Sequence, residues 1–158
     1  MENIENIEIE RKYKVKHMPT DLAQFECKVI EQAYLNTDPV VRIRKENDEY
    51  YLTYKNKGLL AREEYNLPLD KKSYEHLKSK ADGNVISKKR YVIPLADASF
   101  PAIAELDIFE PPFAPLITVE VEFPDMETAN NFTAPDWFGE DITMDMRYRN
   151  SNMSKMNL

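Results

Sequence analysis

Residues 5–16 read ENIEIERKYKVK, a stretch in which apolar and charged side chains alternate. Successive side chains of a strand point to opposite faces, so this alternation predicts a β-strand with one apolar and one charged face. The two faces would carry Ile7, Ile9, Tyr13 and Val15 on one side and Glu8, Glu10, Lys12 and Lys14 on the other. A strand of this kind needs apolar partners on one side only.

The same period of two recurs along the chain and predicts a mainly β protein with a few flanking helices. Further strands are predicted at residues 28–36, 39–46, 49–57, 61–67, 84–93, 102–109 and 117–123. Polar turns at residues 47–48 and 57–58 indicate tight antiparallel connections. Helical spacing predicts one helix over 70–81 with Asp70 as its cap. Shorter helices are predicted to begin near Thr20, as an N-cap, and at Asp125. The tail after Trp137 is polar and is predicted to be irregular or helical.

Composition restricts the class of protein. The chain has 158 residues, and we expect a single domain over 1–158. A net charge of -7 disfavours nucleic-acid binding, which draws on an excess of Lys and Arg. A single cysteine, Cys27, excludes an internal disulfide, and no apolar run is long enough to span a membrane. We therefore expect a cytoplasmic protein with no nucleic-acid or membrane partner.

Charged residues two positions apart recur in six of the predicted strands. The acidic pairs are Glu8 with Glu10, Glu105 with Asp107, and Glu120 with Glu122; the basic pairs are Arg42 with Arg44, Lys55 with Lys57, and Lys88 with Arg90. An open sheet with one solvated face would show this pattern, and so would a closed barrel with its charged faces turned inward. The inward arrangement requires metals, anions or water, because unpaired buried charges are costly.

The order of these segments resembles the CYTH family, or triphosphate tunnel proteins, which includes class IV adenylyl cyclases, thiamine triphosphatases and bacterial inorganic triphosphatases. The segment EIERKYKV is similar to the ExExK motif that opens such proteins. The resemblance continues over nearly the whole chain through EQAYL, VRIRK, YYLTYK, REEYNLPL, VISKKRYVIP, AELDIF, ITVEVEF and WFGEDITMDMRYRN. It implies a closed eight-stranded antiparallel β-barrel with a charged lumen.

The resemblance also implies roles for individual residues. Metal ligands would be Glu8, Glu10, Glu120 and Glu122, binding Mg²⁺ or Mn²⁺ through the carboxylate oxygens that hard cations prefer. Phosphate ligands would be Arg42, Arg44, Lys55, Lys88, Arg90 and Arg147, and carboxylates standing behind the metal ligands would be Glu64, Glu105, Asp107 and Asp145. Lys12 and Tyr34 match residues thought to activate water. Neighbouring cations would lower the pKa of Lys12 and carboxylates would raise it, and the sequence leaves the balance open.

We therefore expect metal-dependent hydrolysis of a triphosphate, in the first place inorganic tripolyphosphate to pyrophosphate and phosphate. A class IV adenylyl cyclase is the alternative enzyme, and thiamine or nucleoside triphosphates are alternative substrates. A polyphosphate- or nucleotide-binding module without activity is the non-enzyme alternative. The apolar outer faces of such a barrel are consistent with a homodimer.

Overall fold

The strand with the strict alternation becomes the strand that closes the sheet. In the computed structural model, which describes residues 7–58, 60–96 and 99–157, β1 spans Ile7–Val15. Residues 5 and 6 of the predicted strand lie outside the described residues. One edge of β1 pairs with β8 (Ile117–Glu122), and the other pairs with β5 (Ala61–Leu69). These pairings join the two ends of the sheet.

Eight antiparallel strands form the closed barrel, and a ninth strand is added at β1. The remaining strands are β2 (Glu26–Thr37), β3 (Val40–Glu46), β4 (Glu49–Lys55), β6 (Asp82–Pro94), β7 (Ile103–Phe109) and β9 (Phe138–Asp141). Around the barrel the order is β5-β4-β3-β2-β6-β7-β8-β1, after which β1 returns to β5. The eight-stranded antiparallel barrel predicted from the sequence is confirmed.

In the described part of the chain, three short helices lie outside the strands. They are α1 (Lys71–Lys78), α2 (Met126–Asn130) and α3 (Asn150–Met153), with single 3-10 turns at Leu22–Gln24 and Met146–Tyr148. Asp70 and Asp125 accept hydrogen bonds from the backbone N–H groups of Ser73 and Thr128, which caps α1 and α2 as their sequences predict. Within the described ranges, no helix is long and apolar enough to cross a membrane.

Two of the apolar clusters lie outside the barrel wall. One face of β1, β6, β7 and β8 packs under α2 and the following loop, in a cluster that includes Ile9, Leu106, Val119, Val121 and Phe138. On the opposite side, Tyr74 of α1 packs against Ala33 and Ile43. Because the apolar faces of the strands are used on the outside, their charged faces line the lumen.

Three local expectations differ from the structure. The first helical turn is a 3-10 turn preceded by Asp21, which has a left-handed backbone and makes no side-chain cap, so Thr20 is not its cap. β4 ends at Lys55, and Lys57 lies in the following turn with an exposed side chain, so it does not pair with Lys55 on one face. β9 was missed because its four residues are too few to show a period.

Candidate functional site in the barrel lumen

The lumen contains a charged cavity of about 350 Å³. All of the residues predicted for the site line it, except Asp107 and Arg147. Asp107 is fully buried in the wall behind the cavity, where it pairs with Lys88 and Arg90. Arg147 lies outside: its side chain is 74% exposed and is bound to Asp145. The closed barrel therefore gathers residues from eight strands into one site.

The acidic side of the cavity is formed by neighbouring strands. Glu10 of β1 and Glu122 of β8 are directly opposite each other in the strand register, and Glu8 lies two residues before Glu10 on the same face. Burial raises the pKa of Glu10, and the charge of Glu120 adds to this effect. Burial also raises the pKa of Glu8, with a further contribution from Glu10. This wall carries more negative charge than its surroundings neutralise.

Such a wall suits a hard divalent cation that is shared with a ligand. In the part of the chain that the structure describes, no group of three His, Cys, Asp or Glu side chains is arranged to hold a metal ion by itself. In phosphate sites Mg²⁺ is usually held by one or two carboxylates together with substrate oxygens and water. The excess charge at Glu8, Glu10 and Glu122 fits that kind of binding, and it does not fit a closed structural metal site.

Most cations of the cavity already have a polar partner. The ammonium of Lys55 lies 2.9 Å from Glu8 and 3.2 Å from Glu64. Arg90 forms two hydrogen bonds with Asp107, at 2.7 and 2.9 Å, and contacts Glu105 at 3.1 Å. These pairs hold the cations at fixed positions along the wall. An anion entering the lumen would meet charged groups whose positions are already set.

The hydrogen bonds of the two arginines of β3 go to neutral groups instead, and Glu46 lies at a longer distance, 3.9 Å, from Arg44. Arg42 donates to the hydroxyl of Thr53 at 3.1 Å, and Arg44 donates twice to the side-chain oxygen of Gln32, at 2.9 and 2.7 Å. Burial and the neighbouring charge of Arg42 lower the pKa of Arg44, although a guanidinium stays protonated in neutral solution. A neutral partner leaves their positive charge available to an anion.

Lys12 and Lys88 differ in the direction of their pKa shifts. Lys12 contacts Glu120 and the backbone oxygen of Tyr148, each at 3.0 Å. Burial lowers the pKa of Lys12, but Glu120 and Glu10 outweigh it and the net shift is upward. Burial lowers the pKa of Lys88 to about 7, because Asp107 is its main counter-charge and is shared with Arg90. The question that the sequence left open is thereby answered in favour of a charged Lys12.

Gln32 connects the cavity groups to the end of the chain. It is fully buried, and its amide nitrogen lies 3.3 Å from the hydroxyl of Tyr34 and 3.2 Å from the side-chain oxygen of Asn150. The same oxygen of Asn150 accepts from Lys88 at 3.3 Å. Because Gln32 donates to the hydroxyl of Tyr34, the hydroxyl proton is free to point to another acceptor.

The residues of the site that sequence reasoning missed include Gln32, Arg62, Arg149 and Asn150. Arg62 could have been found, because it lies two positions before Glu64 on the same face of β5. Arg149 and Asn150 belong to the C-terminal segment, which is not a strand and shows no period. The structure places Arg149, and not Arg147, against the cavity.

Three features together suggest one family: the charged lumen, the closed eight-stranded sheet and the acidic pair at the start of β1. A comparison of sequences shows which family this is. The profile of the CYTH domain matches residues 6–156. The chain is a member of the CYTH family. This CYTH protein is 37% identical over 150 residues to a protein of Nitrosomonas europaea named inorganic triphosphatase, covering 93% of this chain and 96% of that protein.

Two further relatives agree. A protein of Acetivibrio thermocellus, also named inorganic triphosphatase, is 34% identical over 125 residues, covering 77% of this CYTH protein and 76% of the relative. A crystal structure of the inorganic triphosphatase NE1496 superimposes with a TM-score of 0.71 at 34% identity, covering 95% of each chain. The fold and the family predicted from the sequence are therefore confirmed, and members of this family generally depend on a metal ion.

Proposed function

We propose that this CYTH protein is a triphosphatase that hydrolyses inorganic tripolyphosphate to pyrophosphate and phosphate, using Mg²⁺ or Mn²⁺. The observation that carries the proposal is a single cavity in which a carboxylate wall of excess negative charge meets cations held at fixed positions. A triphosphate with its metal ion matches both walls at once. The names of the two relatives support the same activity.

The arginines and lysines of the lumen would bind the triphosphate. The hydrogen bonds of Arg42 and Arg44 go to neutral groups, and the carboxylate of Glu46 lies 3.9 Å from Arg44, so phosphate oxygens can take up most of their charge. Arg90 is held by Asp107 and offers a guanidinium of fixed orientation. Catalysis of phosphoryl transfer by a protein depends mainly on such positioning and on charge neutralisation. A divalent cation on Glu8, Glu10, Glu120 and Glu122, when bound, supplies further neutralisation of the phosphate oxygens.

Water is the nucleophile in this proposal. Its oxygen forms a bond to a terminal phosphorus, the bridging P–O bond breaks, and the water proton passes to a base. Tyr34 can orient the water through its hydroxyl, whose proton is not used by Gln32. Lys88 suits the role of base better than Lys12, because its pKa is lowered to about 7 and that of Lys12 is raised. Lys12 would then keep its charge and hold Glu120 in place.

The test compares substrates and products with the purified full chain. Tripolyphosphate should have a higher kcat/KM than ATP or thiamine triphosphate, because all the side chains assigned to the site bind phosphate or metal. Activity should require a divalent cation and disappear in excess chelator. Cyclic AMP as the main product from ATP would assign the protein to the adenylyl cyclases. Tight binding of triphosphate without turnover under any metal would assign it to the binding modules.

A further inference from the structure

The strand β2 carries a neutral amide, Gln32, into the charged lumen. Gln32 and Tyr34 lie two positions apart and therefore share one face of the strand. In the register with β3, Gln32 lies directly opposite Arg44 and Tyr34 lies opposite Arg42. Gln32 is fully buried, and a buried amide is nearly always hydrogen-bonded. Strand register thus places this amide between a guanidinium group and a phenol.

The partners of Gln32 fix the orientation of its amide group. Arg44 can only donate, so the amide oxygen faces it and accepts from Nε and Nη2, at 2.9 and 2.7 Å. The amide nitrogen faces the other way and donates to the hydroxyl of Tyr34 at 3.3 Å and to the side-chain oxygen of Asn150 at 3.2 Å. Both lone pairs and both protons of the amide are in use, so turning it over would break its hydrogen bonds.

This fixed orientation sets the direction of the proton on Tyr34. A phenolic hydroxyl can donate or accept, and the N–H of Gln32 occupies one of its lone pairs. The hydroxyl proton therefore points away from Gln32. Since Tyr34 lines the cavity, that proton is available to an oxygen atom of a bound molecule. A carboxylate of the same size in place of the amide would instead accept the proton of Tyr34 and take up the charge of Arg44.

We propose that Gln32 is a positioning residue for hydrolysis, which keeps the hydroxyl of Tyr34 as a hydrogen-bond donor to the attacking water. This inference rests on the proposed function for its reaction. The hydrogen bond from Tyr34 occupies one lone pair of the water oxygen and leaves the other for the phosphorus. In this role Gln32 contacts neither the water nor the phosphate, and it acts on the chemical step through Tyr34.

A first test detects the hydrogen bonds without turnover. Gln24 is the only other glutamine of the sequence, and the side-chain amide signals of Gln32 in a proton–nitrogen NMR spectrum are assigned by their absence from Gln32→Glu. In the full chain with chelator, Tyr34→Phe should shift one of the two proton signals and Asn150→Ala the other, because each proton loses its own acceptor. Unchanged signals in Tyr34→Phe would overturn the proposal.

A second test measures kcat for tripolyphosphate in Gln32→Met, whose side chain has a similar length and forms no such hydrogen bonds. We expect kcat to fall by about tenfold or more, because the hydroxyl of Tyr34 loses its orientation. In the Tyr34→Phe background the same change should alter kcat by less than about twofold, because the hydroxyl that Gln32 positions is already absent. Gln32→Glu should lower kcat more than Gln32→Met, because the carboxylate accepts the proton of Tyr34.

Gln24→Glu is the matched control, since Gln24 is exposed and undergoes the same change of charge. It should retain the kcat of the parent protein. An equal loss of kcat from Gln32→Met with and without the hydroxyl of Tyr34 would indicate a general effect on structure and overturn the positioning role, while hydrolysis by the parent protein would leave the proposed function standing. A parent protein that hydrolyses no triphosphate with any metal would refute the proposed function and this role with it.

Discussion

Lys12 and Lys88 carry the same ammonium group into the same cavity, yet their surroundings shift the two pKa values in opposite directions. Lys12 faces Glu120 and Glu10, two carboxylates that outweigh the effect of burial. Lys88 shares Asp107 with Arg90, and burial dominates. Residues of identical chemistry therefore suit different tasks: one as a permanent cation and the other as a group that can lose its proton near neutral pH.

We expect kcat/KM for tripolyphosphate to rise with pH around a midpoint near 7, as free Lys88 loses its proton. Bound triphosphate stabilises the charged lysine, so the midpoint in kcat should lie at a higher pH. Lys88→Arg should abolish both rises and lower kcat by about 10²- to 10⁴-fold, the usual contribution of a general base. Ionisation of the substrate is the same for both proteins. An unchanged pH profile in Lys88→Arg would exclude Lys88 as the base.

The same comparison decides the role of Lys12. If Lys12 is the base despite its raised pKa, Lys12→Ala should lower kcat by about 10²- to 10⁴-fold with little change in triphosphate affinity, and Tyr34→Phe should resemble it. If Lys12 positions Glu120, its loss should change the metal concentration required for half-maximal activity. Measured kcat, triphosphate Kd and metal dependence of Lys12→Ala and Tyr34→Phe distinguish the two roles.

Glu120 and Glu122 lie two residues apart on β8 and should respond differently to loss of charge. Burial opposes ionisation of Glu120, but Lys12 and Arg90 hold its pKa well below the usual range. Burial and the charge of Glu64 raise the pKa of Glu122, which lies at the exposed end of β8. When the folded protein raises the pKa of a carboxyl group, ionisation of that group lowers the stability of the fold as the pH rises through the pKa. When the folded protein lowers the pKa, ionisation adds to stability, and this contribution is lost as the pH falls through the pKa.

We expect Glu122→Gln to leave the metal-free protein as stable as its parent or more stable at pH 7, with the difference vanishing at acid pH. Glu120→Gln should lower the free energy of unfolding by about 1–3 kcal/mol, because Lys12 loses its partner. Both changes should weaken the metal dependence of activity. Urea unfolding at pH 5 and pH 7, with and without chelator, measures the effect. Equal destabilisation by the two changes would contradict this assignment.

Among the elements, the C-terminal segment is the one that completes the site without being a strand. Met153 of α3 packs with Tyr34, Val40, Ile86 and Phe109. A Cβ added at Gly83 would overlap the backbone oxygen of Ser154, so a glycine is needed where the segment meets β6. Apolar packing thus fixes the segment, and its polar residues then reach Lys12, Gln32 and Lys88.

Removing the side chain of Asn150 should therefore affect chemistry more than binding. Asn150→Ala leaves the amide of Gln32 and the ammonium of Lys88 without a shared acceptor. We expect a fall in kcat of about tenfold or more with a smaller change in KM, since Tyr34 and Lys88 lose their orientation. Asn152→Ala is the control, because its side chain binds the backbone oxygen of Met146. A change in KM alone would show that Asn150 only contributes to substrate binding.

At the scale of the whole molecule, the barrel inverts the usual relation between core and surface. Two apolar clusters lie outside the wall under α1, α2 and the loops, and the charged groups lie inside it beside the smaller cluster around Met153. Ion pairs such as Lys88 with Asp107 offset part of the free-energy cost of burying charges. The carboxylates around Glu10 exceed the cations near them, so part of their negative charge is not neutralised within the protein. Ligands that neutralise this excess should stabilise the whole fold.

We expect tripolyphosphate together with Mg²⁺ or Mn²⁺ to raise the melting temperature by about 5–11 °C at about 100 times the Kd, from about 2.7 kcal/mol of linkage energy. The two ligands together should shift it more than the sum of each alone, because they share the carboxylate wall. Phosphate at the same ionic strength is the control. Absence of any shift would indicate that the charged faces are simply solvated.

The homodimer expected from the sequence stays a prediction. Tyr65 and Leu67 of β5 are exposed large apolar side chains, with 40% and 57% of their surface accessible. Isolated apolar residues are common on protein surfaces and do not establish an interface. Sedimentation of the purified chain at several concentrations measures its oligomeric state directly.

Much of the fold could be predicted from the sequence because period two is a local signal. Charged residues at Glu8 and Glu10, or Arg42 and Arg44, share a face in any strand, whatever the strand packs against. The order of these segments was sufficient to recognise the family, and nearly all of the predicted site residues line the cavity. The cap at Asp70 and the start of a helix at Asp125 are equally local and were found.

Only the tertiary structure decided which face was inside and how each charge was balanced. The same alternation would suit an open sheet with a wet face, and closure depends on the pairing of β1 with β5, more than 50 residues apart in the chain. The opposite pKa shifts of Lys12 and Lys88 follow from burial and from partners on other strands. Arg149 lines the cavity and Arg147 does not. The C-terminal segment is positioned by contacts with residues that are distant in sequence, and a local sequence pattern contains no information about such contacts.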